Sequence, residues 1–154
     1  MADELRVAWL AGLVDGEGAV YMSRSNQRGR WIYVPVFRID MTCSMTIDTV
    51  CDLLADLDID HRRFSYERKN KNHKDAQIVN VGRLAALSKL LPLLIPYLVT
   101  KRPNAEALLD FVDMRLAADH RSSKGPYEST YTGREKKMYE DMRVLNRRGV
   151  QNAN

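Results

Sequence analysis

Ala8, Gly12 and Gly16 recur every four residues near the start of the chain, so on a helix they line one face with almost no side chain. The apolar positions Trp9, Leu10, Leu13 and Val14 keep helical spacing, Asp3 can cap the start, and Gly16 and Gly18 end the helix at about Asp15. A face stripped to backbone packs at close range, either against the chain's own core or against the same helix of a second copy across a two-fold axis. The pattern occurs once, and Glu17 follows it between two glycines. There the carboxylate meets the negative end of the helix dipole, an unfavourable place for a purely structural acid. Two such groups brought together by a two-fold axis need a neutralising cation, and hard, oxygen-liganded Mg²⁺ suits that role.

Beyond this helix the periodicity changes from helical to alternating. Strands are expected over 19–25 and 31–40 with a turn at 26–30, and Pro35 argues for an edge position or a bulge. A helix at about 46–57 carries Ile47, Val50, Cys51, Leu54 and Leu57 on one face. A second hairpin, 61–67 and 76–81, encloses the basic loop 68–75, and helices follow at about 83–91, 102–118 and 134–145. The order αββαββαα(α) predicts an α+β fold with antiparallel hairpins. All 154 residues form one domain on this reading, with a core at about 3–118 and a C-terminal helical extension at about 119–154.

Several function classes are excluded. The longest apolar run, 90–99, is interrupted by Pro92 and Pro96 and is too short to cross a bilayer, so no membrane partner is expected. The N-terminus does not read as a signal peptide, and the expected location is intracellular, cytoplasm or organelle matrix. Cys43 and Cys51, with His61, His73 and His120 scattered, predict neither a disulfide framework nor a zinc site. No glycine-rich phosphate loop or nucleophile–base pair points to a small-molecule substrate. Six aspartates and no lysine or arginine lie between Asp40 and Asp60, whereas 62–74 holds six bases and one acid, Glu67. Such segregation predicts a basic face for nucleic acid, or else a solvated loop.

The stretch Leu10-Ala11-Gly12-Leu13-Val14-Asp15-Gly16-Glu17-Gly18 resembles the nine-residue LAGLIDADG motif of homing endonucleases almost position for position. Downstream, Leu94-Ile95-Pro96-Tyr97-Leu98-Val99-Thr100-Lys101-Arg102-Pro103-Asn104-Ala105 is similar to the family segment in which a lysine opens a late helix. The resemblance covers about 5–118 and implies a single-motif, homodimeric enzyme, an αββαββα core whose hairpins form a DNA-binding saddle. It implies intron homing: site-specific, Mg²⁺-dependent hydrolysis of one phosphodiester per DNA strand, leaving short 3′ overhangs. Mn²⁺ is the expected substitute metal, and Ca²⁺ is expected to bind without cleavage. On the same resemblance Glu17, usually aspartate in the family, is the catalytic acid and holds the metal with Gly16. Ala8, Gly12 and Gly16 form the dimer interface, and Asp15 is structural, a cap. Lys101 is then the active-site lysine. Read from the residues alone, Thr100 caps the late helix, and Lys101 and Arg102 oppose its dipole, a conflict that a nearby phosphate removes. Many family members carry a polar residue where this chain has Met41, which cannot usefully hydrogen-bond water. Either Asp40 or Thr42 takes that role or the water shell differs. The alternative is an intron RNA maturase or DNA-binding regulator on the same fold with an inactive site.

Alternation assigns the strand faces. Val20, Met22, Tyr33, Phe37, Ile39, Phe64, Tyr66, Val79 and Val81 are expected inward. Tyr21, Ser23, Ser25, Ile32, Val34, Val36, Arg38, Arg63, Ser65, Glu67, Ile78 and Asn80 are expected outward, a mixture suited to base edges and thymine methyls in a major groove. Arg28, Arg30, Arg68, Lys69, Lys71, Lys74, Lys136, Lys137, Arg147 and Arg148 are the expected phosphate contacts on a long pseudo-palindromic duplex site.

Overall fold

The computed structural model describes residues 2–67, 75–119 and 133–147. Its elements are α1 (Ala2–Glu17), β1 (Gly18–Gln27), β2 (Arg30–Met41), α2 (Ser44–Asp56), β3 (Arg62–Tyr66), β4 (Ala76–Val81), α3 (Leu84–Leu94), a 3₁₀ turn (Ile95–Tyr97), α4 (Arg102–Asp119) and α5 (Gly133–Leu145). The four strands form one antiparallel sheet in the order β1-β2-β4-β3. The expected α+β fold is therefore the observed one. No described helix is long and apolar enough to cross a membrane.

One face of the sheet closes the core. Val20, Met22, Tyr33, Phe37, Ile39, Val79 and Val81 are buried there against Leu10 and Val14 of α1, Ile47, Val50, Leu53 and Leu54 of α2, and the buried leucines of α3 and α4. No described element covers the opposite face. At roughly 25 cal/mol per Å² of apolar surface, burying the helices on one side supplies the driving force and leaves the other side free for function.

β1 and β2 run well past the rest of the sheet, because β4 pairs only with Phe37–Met41. Pro35 sits in the half of β2 that pairs with β1 alone, so the missing N–H falls on a locally open strand, as an edge proline requires. The ribbon closes with Arg28 and Gly29 both at positive φ (52° and 83°), the geometry of a two-residue primed turn, and Asn26 Oδ1 accepts from the Gly29 N–H at 3.0 Å. From the core side α5 braces this ribbon. Tyr139 packs on Tyr33 (5.2 Å between centroids), the Arg24 guanidinium lies 4.4 Å from the Trp31 ring, and Met142 is buried.

Three expectations need correction. The prolines do not end α3 at 91: the helix continues through Pro92 to Leu94, because burial of Leu90, Leu91 and Leu94 outweighs one missing backbone bond. α1 runs through Gly16 to Glu17 rather than ending at about Asp15, and its buried stripe is Val7, Leu10, Ala11 and Val14, with Trp9 42% exposed. β3 is turned over. Arg63 pairs across from Val79 and Ser65 from Gln77, which puts both on the helix side, while Phe64 (46% exposed) and Tyr66 (57%) face out. A one-residue difference in register exchanges the faces of a strand, and a short edge strand with alternation on both sides offers no internal signal of which is right.

Gly18 joins α1 to β1 at a distance no side chain permits. A Cβ there would meet the Val14 carbonyl oxygen at 2.8 Å and the Val14 Cα at 2.9 Å, whereas at Gly12 and Gly16 it would meet nothing within 4 Å. Gly18→Ala is expected to lower stability by about 1–3 kcal/mol through forced backbone shifts. Gly82→Ala, whose Cβ would meet only Asn80 Nδ2 at 3.9 Å, is expected to leave it nearly unchanged. Urea denaturation of both variants beside wild type checks the contrast.

Candidate active site and nucleic-acid interface

The site is built where the C-terminus of α1 meets the start of α4. A helix leaves its last carbonyls without intrahelical partners and the next helix leaves its first N–H groups likewise. Asp15 and Lys101 bridge the two ends, Asp15 holding the backbone that enters α4 and Lys101 engaging two of the last carbonyls of α1. The Asp15 carboxylate accepts from the Val99 N–H at 2.7 Å (Oδ2) and from the Lys101 N–H at 2.8 Å (Oδ1). The Lys101 ammonium in turn donates to the carbonyls of Val14 (2.7 Å) and Asp15 (2.8 Å). Burial pulls the Lys101 pKa below the ordinary lysine value, against the opposing pull of Asp15 and Glu17.

This changes the reading of the two cations at the start of α4. They do not oppose a dipole while waiting for a phosphate. Lys101 lies on the negative end of α1, and Arg102 donates to the carbonyls of Ile95 (3.1 Å), Leu98 (3.0 Å) and Pro96 (2.9 Å) around the 3₁₀ turn. Thr100 is exposed, and the backbone entering α4 is held instead by Asp15, through the Lys101 N–H.

Glu17, the last residue of α1, is exposed. With the Val14 and Asp15 carbonyls taken by Lys101, the carboxylate of Glu17 and the carbonyl of Gly16 are the oxygens that no described side chain engages at this helix end. No cluster of three or more His, Cys, Asp or Glu able to hold a metal exists among the described residues. The pairing of Gly18 with Ile39 brings the end of β2 alongside. There Asp40 accepts from Arg38 Nε at 2.7 Å, Thr42 is exposed, and Met41 is half-buried against the core. Asp40 is thus already engaged by Arg38, whose pKa is held above the ordinary arginine value by this hydrogen bond and, to a lesser degree, by the charge of Asp40.

Along α1 the small-residue face is open. Gly12 and Gly16 are exposed, Ala8 is half-buried, and Leu5 (74% exposed) and Trp9 (42%) continue the same stripe. A Cβ at Gly12 or Gly16 would meet nothing within 4 Å among the described residues.

The uncovered sheet face carries Tyr21, Ser23, Ser25, Ile32, Val34, Val36 and Arg38 as expected. One row crosses all four strands: Ala19 beside Arg38, Arg38 beside Asn80, Asn80 beside Arg62. Arg62, Phe64 and Tyr66 belong to this face and were missed. Arg63 and Ser65 leave it, since Arg63 pairs with Asp48 of α2 and both side chains reach Gln77 Oε1. The nearest sequence signal was Asp48, an acid in the preceding helix able to draw Arg63 inward. Glu67 lies beyond the end of β3 and is exposed. Ile78 does point to this face, opposite Asp40 and Phe64, but is only 4% exposed. Arg28 and Arg30 are exposed at the ribbon tip, and Arg28 keeps a left-handed backbone that asparagine or glycine adopts more cheaply. Lys136 and Lys137 point to acids one turn along α5, Glu140 at 3.9 Å and Asp141 at 2.7 Å. Arg68, Lys69, Lys71, Lys74 and Arg148 lie outside the described residues.

No protein-family model and no curated protein sequence matches the chain. Solved structures do match. The archaeal intron-encoded homing endonuclease I-Vdi141I complexed with DNA superposes with a TM-score of 0.70 over 97% of this chain and 89% of that one, at 16% identity. The I-LtrWI LAGLIDADG homing endonuclease bound to target DNA matches with a TM-score of 0.62 over 90% of this chain and 43% of that one, at 22% identity. The fold is that of the LAGLIDADG homing endonucleases. A further LAGLIDADG-type neighbour is the homing endonuclease I-CvuI, in complex with a target that stays uncleaved in 2 mM Mg. It matches with a TM-score of 0.58 over 95% of this chain and 98% of that one, at 18% identity. In this LAGLIDADG fold the motif helix is α1, and the uncovered sheet face is the hairpin saddle.

Because Asp15 ties α4 to α1, its loss is expected to cost more than an ordinary surface acid. Asp15→Ala should lower stability by about 1–2 kcal/mol, the scale of a lost helix cap. Hydrogen exchange should show the Val99 and Lys101 amides losing protection first.

Proposed function

We propose that the chain is a homodimeric, site-specific DNA endonuclease that hydrolyses one phosphodiester in each strand with a divalent cation, Mg²⁺ in the first place. The observation that carries this reading is the juxtaposition at the end of α1: an unpartnered carboxylate, Glu17, on a helix whose exposed face is bare backbone at Gly12 and Gly16. Two copies meeting on that face can approach closely enough to bring both Glu17 groups to the two-fold axis. A carboxylate and a carbonyl are hard oxygen donors and fit Mg²⁺ in kind, although one chain supplies too few of them. The second copy, water and DNA phosphates would complete the set. When bound, the cation supplies Lewis acidity that activates water and neutralises the leaving oxygen.

The chain's own residues do the rest. Asp15 holds the loop before α4, and so holds Lys101 against α1 with two of its three ammonium protons spent on carbonyls. The third proton and the charge remain for a phosphate oxygen close to Glu17. The saddle face supplies base contacts, now from Arg38, Arg62, Phe64, Tyr66 and Asn80 beside the β1–β2 positions, while Arg28 and Arg30 reach phosphates from the ribbon tip. The twelve-residue β2 spans about 40 Å, or roughly twelve base pairs, so a dimer covers about twice that as a pseudo-palindrome. DNA complexes of structural neighbours support the partner, and I-CvuI complexes in Mg and in Ca support the type of metal. An intron-encoded origin and 3′ overhangs belong to the same proposal. Half-buried Met41 favours the second reading, a maturase or regulator that binds nucleic acid without cutting it.

Wild type is expected to sediment as a dimer at micromolar concentration. Gly12→Leu should sediment as a folded monomer, because a Cβ at this exposed position meets nothing within 4 Å among the described residues. A monomeric wild type overturns the two-fold site.

Glu17→Gln is expected to bind a duplex of the intron-less host locus in Ca²⁺ as well as wild type does, or better. Its single-turnover cleavage in Mg²⁺ should fall by about a thousandfold or more. Cutting at the wild-type rate by this variant refutes the assigned centre; a wild type that binds but never cuts favours the maturase or regulator.

A further inference from the structure

Beside the Glu17–Lys101 corner lies a cleft of about 710 Å³ that the catalytic reading does not use. Residues 18–22 of β1 form one wall, and Lys101, Met142, Arg143 and Asn146 form the other. Consecutive strand residues from both faces line it, so the cleft follows the free edge of β1, the outermost strand of the sheet. Such an edge presents backbone N–H groups without strand partners.

Two cations and no carboxylate line the cleft. Arg143 is exposed and lies over the face of Tyr139, 5.9 Å from the ring centroid, rather than against an acid. By contrast Lys136, Lys137 and Arg115 each have a carboxylate partner. The last turn of α5 is also tied to the Lys101 end of α4. Asn104 Nδ2, in a side chain only 5% exposed, donates to Asn146 Oδ1 at 2.9 Å, and Asn146 Nδ2 donates to the Met142 carbonyl at 3.0 Å. Met142 itself is 1% exposed. Arg143 is therefore carried by a turn registered to the same helix start that carries Lys101.

We infer that this cleft is a second phosphate site, in which Arg143 and the β1 edge amides hold a DNA backbone phosphate neighbouring the one held at Lys101. The inference rests on the DNA-binding reading above and adds to it a role for α5, which lies outside the αββαββα core. A guanidinium suits the task, since its fork of donors matches phosphate oxygens.

The test uses the full chain in Ca²⁺ with a mixed-sequence 40-base-pair duplex. Log affinity against log salt should have a slope smaller in magnitude by about 0.9 per protomer, about 1.8 for the dimer, for Arg143→Gln, and an unchanged slope for Arg143→Lys. Arg134→Gln, in the first turn of the same helix, should match wild type. Duplex should also shift the amide resonance of Val20, whose N–H faces the open edge, in wild type, with the shift lost in Arg143→Gln. A wild-type slope in Arg143→Gln, with wild type binding normally, overturns the second phosphate site alone. Equal amide shifts from inorganic phosphate at the same phosphate concentration would make it a free-anion site and overturn the DNA assignment. Failure of wild type to bind any duplex overturns the DNA-binding reading, and this inference with it.

Discussion

The clasp between Asp15 and Lys101 holds together the parts on which everything else depends. A carboxylate at the end of α1 bonds the backbone entering α4, and an ammonium at the entry to α4 bonds the carbonyls ending α1. Each charge sits where a helix end is of opposite partial charge, so the dipoles are complemented twice by one pair of residues. The consequence reaches outward in three directions. α1 ends at a defined point, so Glu17 is presented rather than frayed. Gly18 then has to accept the close approach of Val14 and start β1 there. Lys101 is held beside the acid with one donor to spare.

Charge arrangement over the rest of the molecule follows a related rule. The acids around α2 do not form an acidic face. Asp48 holds Arg63, Asp56 holds Arg6, Asp58 holds Lys89 and Asp60 holds Arg83, drawing bases from β3, α1 and α3 onto the helix side. Exposed pairs of this kind contribute little stability individually. Their effect is on placement, because a base tied to α2 is not available to the sheet face. What remains on that face is a mixed surface of hydroxyls, aromatics, aliphatics and Arg62, Arg38 and Asn80, more selective than a uniformly basic one.

Two surfaces stay open for partners of different kinds. The stripe of Leu5, Ala8, Trp9, Gly12 and Gly16 is apolar and nearly bare at its glycines, the face on which the proposed dimer is built. The saddle face and the β1 edge are polar, with cations at both ends. α5 connects them mechanically. By packing Tyr139 and Met142 beneath the β1–β2 ribbon it stiffens the part of the sheet that β4 does not reach, and its last turn returns to the Lys101 corner.

The motif from Leu10 to Gly18, the helical and alternating periodicities and the glycine and proline punctuation were local signals, and they determined the element order, the α+β class and the position of Glu17 from the sequence alone. Most core positions followed as well: β1 and β2 are long enough for one phase of burial to dominate, and their inward residues are the buried ones. β3 was different. Five residues with apolar groups at Phe64 and Tyr66 and polar ones at Arg63 and Ser65 read inward as aromatics, but Asp48 on α2 and pairing with β4 turned the strand over. Trp9 keeps the helical spacing of its apolar neighbours, yet the narrow buried stripe of α1 leaves it outside. The partners of Lys101 and Arg102 were out of reach too, since orphan carbonyls exist only once helices end near one another. Hydrophobic period is written along the chain. The sign of a face, the partner of a charge and the cleft beside β1 depend on which elements meet, and only the tertiary structure decided those.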